Sequence, residues 1–235
     1  MLLFSGKKAV MKIEKSDLPT VSIILCVYNR RDTIQRALSS VLNQTFKDFE
    51  VIIVDDGSTD NVEEIIFQYL KSYKNFKYVR HQNRKLSLSK NTGIIISQGK
   101  YITFLDSDDE YSKLHLEKMV DFMKQNPQID FIYSNPKVIG NESDMWVVDA
   151  TNFSNLIHLK DCAVGPTFFG KRDVFYLLNG FSDLEYAEDF EFFTRLVSTS
   201  NFKIQKLNEE TYFYYRDIKD SISNTVKNLQ AKIYS

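Results

Sequence analysis

Apolar residues in the first half of the chain form short, nearly unbroken runs, with stretches of helical spacing between them. Such runs predict parallel strands that are covered on both faces. Apolar residues recurring at i, i+3, i+4 and i+7, as over 34–42, predict amphipathic helices, here with Asp32 as the N-cap. The predicted strands cover 21–27, 49–54, 76–80 and 101–104, and the predicted helices cover 34–42, 62–69 and 87–97. This alternation predicts a parallel sheet with right-handed crossovers.

The second half of the chain loses this alternation. Strands are predicted at 129–133, 146–148, 164–169 and 212–215, and helices at 116–125, before Gly180 and from Glu188 onwards. The last helix is expected to bury Phe190, Phe193 and Val197. We therefore expect a smaller mixed-strand extension of the parallel sheet. The predicted divisions are a polar leader over 1–20, a first half over 21–109, a second half of the same domain over 110–216 and a polar tail over 217–235.

Composition limits the class of protein. The 235 residues, 43% hydrophobic and 26% charged, suit one large α/β domain. A net charge of -1 argues against broad binding to nucleic acid, which requires a basic surface. Cys26 and Cys162 form neither a disulfide framework nor a zinc cluster, and Cys26 is expected to be an inert buried thiol. Since no stretch approaches the roughly 20 apolar residues of a membrane span, we expect a cytoplasmic protein, with peripheral contact to the inner face of the cytoplasmic membrane left open.

Polar residues follow three of the predicted strands. Tyr28 and Asn29 follow the first, Asp55-Asp56-Gly57-Ser58 the second, and Asp106-Ser107-Asp108-Asp109 the strand at 101–104. The carboxyl ends of parallel strands share one edge of the sheet, where ligands of open α/β sheets bind. Each segment by itself also suits an ordinary turn or acidic loop. Together they indicate a binding site at this edge.

The three segments match the needs of a nucleoside diphosphate. Tyr28 offers a flat surface for the base, Asp56 an acceptor for the N–H of a base imide, and the acid run a site for a cation that neutralises phosphates. Aspartates spaced as D-x-D can share one hard divalent cation. The first strand is followed by neither G-x-G-x-x-G nor a P-loop, which disfavours a dinucleotide dehydrogenase.

Four segments, in this order, resemble the motif series of family 2 glycosyltransferases with the GT-A fold. They are 21–30, the D-D-G-S-T-D segment from Asp55, Gly99-Lys100-Tyr101-Ile102 with the acid run, and Glu188-Asp189. The resemblance spans about 21–223. It implies a Rossmann-like, mostly parallel sheet flanked by helices, with a smaller mixed-strand extension on the acceptor side. The first half would then bind the nucleotide sugar and the second half the acceptor.

The resemblance also implies roles for single residues. Tyr28 would stack near the base, Asp56 would bind its imide edge, and the backbone around Val27 would line the pocket. Asp106 would face the ribose or diphosphate, and Asp108 would be the principal ligand of Mn²⁺ or Mg²⁺. The same motifs place Asn29, Lys90 and Ser107 among the donor-binding positions.

Asp189 matches the general base of the family, which takes the proton of the acceptor hydroxyl in an inverting displacement. Its position at a helix N-terminus stabilises the anion and would weaken it as a base, whereas burial would act in the other direction. An ordinary helix cap is the alternative role. The other candidates for the base are Glu188, Glu185 and Asp183.

The chain departs from the family pattern in two places. Lys90, in Ser89-Lys90-Asn91, replaces an arginine and lacks its bidentate fork. Ile218, in Tyr215-Arg216-Asp217-Ile218, stands where the family often has histidine. The Q-x-x-R-W signature of processive synthases is missing from the sequence, which indicates a non-processive enzyme.

The sequence thus predicts a transferase that moves a sugar from a nucleotide-diphosphate sugar, expected to be UDP-linked, to a saccharide or lipid-linked acceptor in the synthesis of a bacterial surface glycan. The segment 145–169, with Trp146, is expected to shape the acceptor side. Two alternatives stay open: a sugar nucleotidyltransferase, and a catalytically silent module with the same fold. The oligomeric state is not predicted.

Overall fold

The computed structural model describes residues 18–199, 201–218 and 221–234, so that most of the predicted leader lies outside the described residues. The first half alternates as predicted. Its strands are β1 (Val21–Val27), β2 (Phe49–Asp55), β3 (Phe76–Arg80) and β4 (Tyr101–Phe104), and its helices are α1 (Ile34–Leu42), α2 (Glu63–Ser72) and α3 (Lys85–Ile96). β3, β2, β1 and β4 lie side by side and all run parallel.

The second half contains short strands and helices. The strands are β5 (Glu110–Tyr111), β6 (Phe131–Ser134), β7 (Lys137–Ile139), β8 (Trp146–Val148), β9 (Leu156–His158), β10 (Phe169–Lys171), β11 (Ile204–Leu207) and β12 (Tyr212–Tyr215). The helices are α4 (His115–Gln125), α5 (Arg172–Leu177), α6 (Glu188–Ser198) and α7 (Ile222–Tyr234), with short 3-10 turns at Glu142–Met145, Leu159–Asp161 and Gly165–Thr167.

In the described residues, seven strands form the central sheet in the order β11-β6-β10-β4-β1-β2-β3. Within it, β10 alone runs antiparallel to its neighbours. Two smaller sheets, β5-β12-β7 and the hairpin β8-β9, complete the second half. This is the mostly parallel α/β sheet with a mixed-strand extension that the sequence predicts.

The central sheet is covered on both faces, as the unbroken apolar runs predict. Ile23 and Leu25 of β1 pack into the core beneath α1, while Ile24 points to the opposite core, which contains Ile94 of α3. Successive side chains of a strand point to opposite faces, so that a strand covered by helices on both sides reads as a nearly continuous apolar run. Two buried polar exceptions, Ser22 and Glu50, hydrogen-bond each other at 2.6 Å.

Three local predictions are wrong. The predicted strand at 164–169 is largely a 3-10 turn at Gly165–Thr167, and only Phe169 of that range belongs to a strand, β10. Thr33 rather than Asp32 precedes α1, and it makes no capping hydrogen bond through its side chain. In α6, Phe190 is 45% exposed and Val197 is 58% exposed. Phe192 and Leu196 are buried instead, because the helix turns this face toward the aromatic core of the second half.

The predicted polar tail contains α7. Tyr214 of β12 hydrogen-bonds Ser223 (Oη to Oγ, 2.9 Å), and Lys227 Nζ donates to the carbonyl of Ser143 at 2.6 Å. This helix therefore packs against the second half. Among the described residues, no helix is both long enough and apolar enough to cross a membrane.

Candidate active site

A cleft of about 910 Å³ opens at the carboxyl ends of β1, β2 and β4. The hairpin β8-β9 and the start of α6 form its other walls. All of the site residues predicted from the sequence line it: Val27, Tyr28, Asn29, Asp56, Lys90, Asp106, Ser107, Asp108 and Asp189. The tertiary structure thus brings together positions that are more than 160 residues apart in the chain.

Asp56 is held at the end of β2 with its carboxylate fixed in the cleft wall. Its amide donates to the carbonyl of Val27 at 2.9 Å. One carboxylate oxygen, Oδ1, accepts the Arg84 amide at 2.7 Å and lies 3.2 Å from Nδ1 of His81. The contacts with Arg84 and His81 therefore hold this buried carboxylate in one orientation.

The neighbouring Asp55 has a structural role. It is fully buried and accepts hydrogen bonds from the Ser58 amide (2.8 Å) and the Tyr78 hydroxyl (2.7 Å). Gly57 then turns the chain with φ of +81°, and a Cβ there would lie 2.9 Å from the amide nitrogen of Asn83. Only glycine fits such a left-handed, close-packed turn without strain.

Asn29 joins the ends of β1 and β2. Its backbone has φ of 51°, which asparagine tolerates better than most residues. Its amide donates to Ser58 Oγ at 3.1 Å, and its side-chain oxygen accepts the Thr59 amide at 2.8 Å. This links the two strand ends, and leaves the half-exposed Tyr28 ring at the mouth of the cleft.

Asp106 and Asp108 are the carboxylates of the acid run that line the cleft. Burial raises the pKa of Asp106 to about 7, with Lys90 acting in the opposite direction and Asp108 in the same one. Burial also raises the pKa of Asp108, against the effect of Arg30, whose Nε lies 3.4 Å from Oδ2 of Asp108. Arg36 donates to the backbone carbonyl of Asp108 and stacks on the Tyr215 ring.

Asp109, for which the sequence suggests no role, anchors the acid run to β12. It is fully buried and accepts the Tyr212 hydroxyl (2.6 Å) and the Tyr215 amide (2.8 Å). Burial raises its pKa well above the ordinary value, and the charges of Asp106 and Asp108 add to this effect. The adjacent Asp106 amide donates to the same Tyr212 hydroxyl at 3.2 Å.

Asp189 enters the cleft from the first turn of α6. Its Oδ2 accepts the Gly165 amide and its Oδ1 accepts the Phe190 amide, both at 2.8 Å. Burial raises the pKa of Asp189 to about 6, and the charge of Glu188 adds to this, while Lys90 and the two amides lower it. Burial therefore raises the pKa of Asp189 by more than the amides at the start of the helix lower it.

Lys90 reaches the same cluster from α3. Its ammonium group is buried, and donates to Glu188 Oε1 at 2.7 Å. Burial by itself would lower its pKa, but the carboxylates of Glu188, Asp106 and Asp189 raise it. Lys90 is therefore a fixed cation between the acid run and the start of α6.

The other candidates for the base differ from Asp189 in their surroundings. Glu188 is buried and engaged by Lys90. Glu185 lies at the rim of the cleft with 81% of its side chain exposed and pairs with Lys85. Asp183 is exposed and lies outside the cleft. Among these carboxylates, Asp189 combines access to the cleft with a raised pKa.

Of the further cleft residues, Arg30 was not among the predicted site residues, whereas those of the hairpin belong to the predicted segment 145–169. Arg30, Val147, Val148 and Ile157 line the cleft, whereas Trp146 lies outside it and packs edge-to-face on His158. Trp146 therefore does not line this cleft, although other residues of the segment 145–169 do. The first strand of the hairpin, β8 (Trp146–Val148), has the predicted bounds, whereas β9 (Leu156–His158) was not predicted, because a strand of three residues shows little periodicity.

Cys26 lies at the inner end of the cleft. Burial raises the pKa of its thiol far above the ordinary range. A thiol that stays protonated is a poor nucleophile, in agreement with the predicted inert role.

The donor groups suit a cation that arrives with a ligand. In the described part of the chain, no three His, Cys, Asp or Glu side chains are grouped so that they could hold a metal ion by themselves. Asp106 and Asp108 supply hard carboxylate oxygens. Mg²⁺ and similar cations are commonly held by one or two carboxylates together with water and substrate phosphates, and the cleft fits such a site.

Known proteins similar to this chain share its sequence family and fold. The family model described as glycosyl transferase family 2 matches residues 22–180. An "Uncharacterized glycosyltransferase" of Haemophilus influenzae is 31% identical over 221 residues, covering 91% of this chain and 74% of that protein. In an "Uncharacterized glycosyltransferase" of Rickettsia bellii, 43% identical over 115 residues, the match covers 49% of this chain and only 16% of that protein.

Two solved structures show a similar fold. Staphylococcus aureus TarS 1-349 in complex with UDP-GlcNAc has a TM-score of 0.71 and 22% identity, covering 91% of this chain and 66% of that one. The mannosyltransferase PcManGT from Pyrobaculum calidifontis, in complex with GDP-Man and Mn²⁺, has a TM-score of 0.65 and 17% identity, covering 83% of this chain and 56% of that one. On the evidence of its motifs, its sheet and these matches, the chain belongs to glycosyl transferase family 2 and has the GT-A fold.

Proposed function

We propose that this protein transfers a hexosyl or N-acetylhexosaminyl group from a UDP-sugar to a hydroxyl of a saccharide or lipid-linked acceptor, with inversion at the anomeric carbon. The proposal rests on one observation: Tyr28, Asp56 and Asp189 line the same cleft as Asp106 and Asp108 of the acid run. UDP-GlcNAc in the TarS complex supports the choice of donor class.

In the proposed reaction, Asp189 accepts the proton of the acceptor hydroxyl. The acceptor oxygen forms a bond to the anomeric carbon, and the bond from that carbon to the diphosphate oxygen breaks, so that UDP leaves with the electron pair. Asp56 and Tyr28 hold the base, and Lys90 supplies a fixed positive charge. When bound at Asp108, Mn²⁺ or Mg²⁺ would stabilise the charge of the departing diphosphate, while Asp106 would face the ribose or diphosphate. The Mn²⁺ in PcManGT supports this choice of metal.

The raised pKa of Asp189 supports its role as the base. A carboxylate with a pKa of about 6 is ionised at neutral pH and still accepts a proton more readily than an ordinary aspartate. Its hydrogen bonds to the Gly165 and Phe190 amides orient the group.

The Asp189→Asn variant tests the assignment. We expect UDP release in the presence of acceptor to fall by about 10²–10⁴-fold, the usual contribution of a general base, while UDP binding by calorimetry changes little. The matched control is Asp183→Asn, which changes an exposed carboxylate outside the cleft. Full activity of Asp189→Asn would remove Asp189 as the base.

The same assay separates the alternative functions. UDP release from a panel of UDP-sugars supports transfer, whereas pyrophosphate release from a nucleoside triphosphate would identify a nucleotidyltransferase. A protein that binds no nucleotide sugar by calorimetry would not have the proposed function.

A further inference from the structure

The cation site of the cleft contains a positive group of the protein itself. Nε of Arg30 lies 3.4 Å from Oδ2 of Asp108, and both side chains are only 16% exposed. Arg30 directly follows the loop that closes β1, and its guanidinium also donates to the Asn29 carbonyl at 3.2 Å. Arg30 and Asp108 line the same cleft. The Arg30 guanidinium is thus a counter-ion of the Asp108 carboxylate.

A divalent cation and the guanidinium compete for this carboxylate. Both are positive, and at such separations in a partly desolvated cleft their mutual repulsion is strong. A cation that binds Asp108 must therefore displace Arg30 or accept a weakened bond. Cation binding in the absence of other ligands thus carries the cost of breaking a partly buried ion pair.

A nucleoside diphosphate removes this cost. Arginine forms bidentate hydrogen bonds with phosphate as well as with carboxylate. When a diphosphate enters the same cleft, Arg30 can exchange its carboxylate partner for a phosphate one. Asp108 is then released to the cation, with no charged group left unpaired.

We propose that Arg30 is a built-in counter-ion of Asp108 that makes cation binding dependent on the nucleotide, so that Mn²⁺ and UDP enter the cleft cooperatively. The inference rests on the proposed function, because it takes Asp108 as the metal ligand. It assigns Arg30 a second role, as a diphosphate-binding residue. Coupling between two ligands is reciprocal. Removal of Arg30 should therefore strengthen the binding of Mn²⁺ alone and weaken the binding of UDP in the presence of Mn²⁺.

The test is binding of Mn²⁺ alone, measured from the signal of free Mn²⁺ in electron paramagnetic resonance, to the unmodified protein and to Arg30→Gln. We expect Arg30→Gln to bind Mn²⁺ about 10-fold more tightly without nucleotide, which corresponds to about 1.4 kcal/mol. In saturating Mn²⁺, the same variant should bind UDP more weakly in calorimetry. The factor by which UDP increases the affinity for Mn²⁺ should therefore be smaller in Arg30→Gln than in the unmodified protein.

Arg31→Gln is the matched control, because it removes the same charge from the next residue. Arg31 pairs with Glu64 at 2.8 Å, on the outer side of the loop. Its substitution should leave both affinities unchanged. An effect equal to that of Arg30→Gln would show that net charge alone is responsible and would overturn the proposal.

Two further outcomes are distinguishable. In the first, Mn²⁺ binds in a UDP-dependent manner that Asp108→Ala abolishes, but Arg30→Gln binds Mn²⁺ alone no more tightly than the unmodified protein does. This result would refute the counter-ion role of Arg30 and leave Asp108 as the metal ligand. If neither the unmodified protein nor any variant binds Mn²⁺ even in the presence of UDP, the metal-dependent function is itself refuted.

Discussion

Single side chains in the cleft have ionisation states that no isolated motif would predict. Asp189 stands at a helix N-terminus, where the positive end of the helix dipole favours the anion. Its pKa is nevertheless raised, because burial removes the solvation of the charge and Glu188 adds a negative neighbour. The positive charge of Lys90 lowers the pKa and so limits this rise. The basicity of the proposed catalytic carboxylate is therefore set first by its burial and then by two neighbouring residues of opposite charge.

The pH dependence of turnover tests this arrangement. With donor and cation saturating, kcat should fall as the pH decreases through about 6, because protonated Asp189 cannot accept the acceptor proton. Glu188→Gln removes the charge that raises this pKa, so the acidic limb of the kcat profile should move to lower pH. Glu185→Gln, at the exposed rim, serves as the control. An unmoved limb in Glu188→Gln would contradict the electrostatic account.

Among the elements, β12 connects the acid run to the second half of the chain. It pairs with β5 in antiparallel and with β7 in parallel orientation, and its Tyr212 donates to the buried Asp109. The acid run is therefore held from both sides, by β4 within the central sheet and by β12 in the smaller one. A shift of β12 would displace Asp106 and Asp108.

Tyr212→Phe removes this connection with little change of shape. The variant should lose about 1–3 kcal/mol of unfolding free energy, measured with urea, because a buried carboxylate loses a hydrogen-bond donor. The Tyr212 hydroxyl lowers the pKa of Asp109, so its removal raises the folded-state pKa further. The folded state then binds more protons, and the loss of stability should grow as the pH rises and Asp109 ionises.

Tyr73→Phe provides the comparison, since Tyr73 is an exposed surface tyrosine and should cost little at any pH. A loss for Tyr212→Phe that shrinks as the pH rises would contradict a bond to the ionised carboxylate.

At the scale of the whole molecule, the cleft lies between the two halves of the chain. The first half contributes the ends of β1, β2 and β4, and the second contributes the β8-β9 hairpin and the start of α6. A ligand that fills the cleft contacts both halves. Binding should therefore stabilise the complete domain rather than one half.

Thermal unfolding measures this effect. At about 100 times its Kd, UDP with Mn²⁺ should stabilise the fold by about 2.7 kcal/mol, which for a chain of this length raises Tm by roughly 5–10 °C. GDP should give a smaller increase. In Asp108→Ala, the additional increase due to Mn²⁺ should disappear. A Tm that UDP and Mn²⁺ leave unchanged at all concentrations would contradict nucleotide binding in the cleft.

The sequence predicts most of the fold because local patterns are unambiguous where both faces of a strand are buried. The apolar run predicts a strand over 21–27, and β1 has these bounds, Val21–Val27. The pattern fails in α6, where Phe190, Phe193 and Val197 satisfy helical spacing as well as Phe192 and Leu196 do. Packing against Phe131 and Phe175 decides between the two faces, and that contact is invisible in the sequence of the helix.

By itself, the sequence determined the order of the elements in the first half, the parallel sheet and the residues that follow its strands, because strand periodicity and chain direction place those residues on one edge. The tertiary structure decided how they are paired and charged. Arg30 meets Asp108, Lys90 meets Glu188 and Tyr212 meets Asp109, and these contacts span long stretches of chain. Desolvation and charge neighbours arise only when distant segments pack, so the basicity of Asp189 and the counter-ion of Asp108 are properties of the folded cleft.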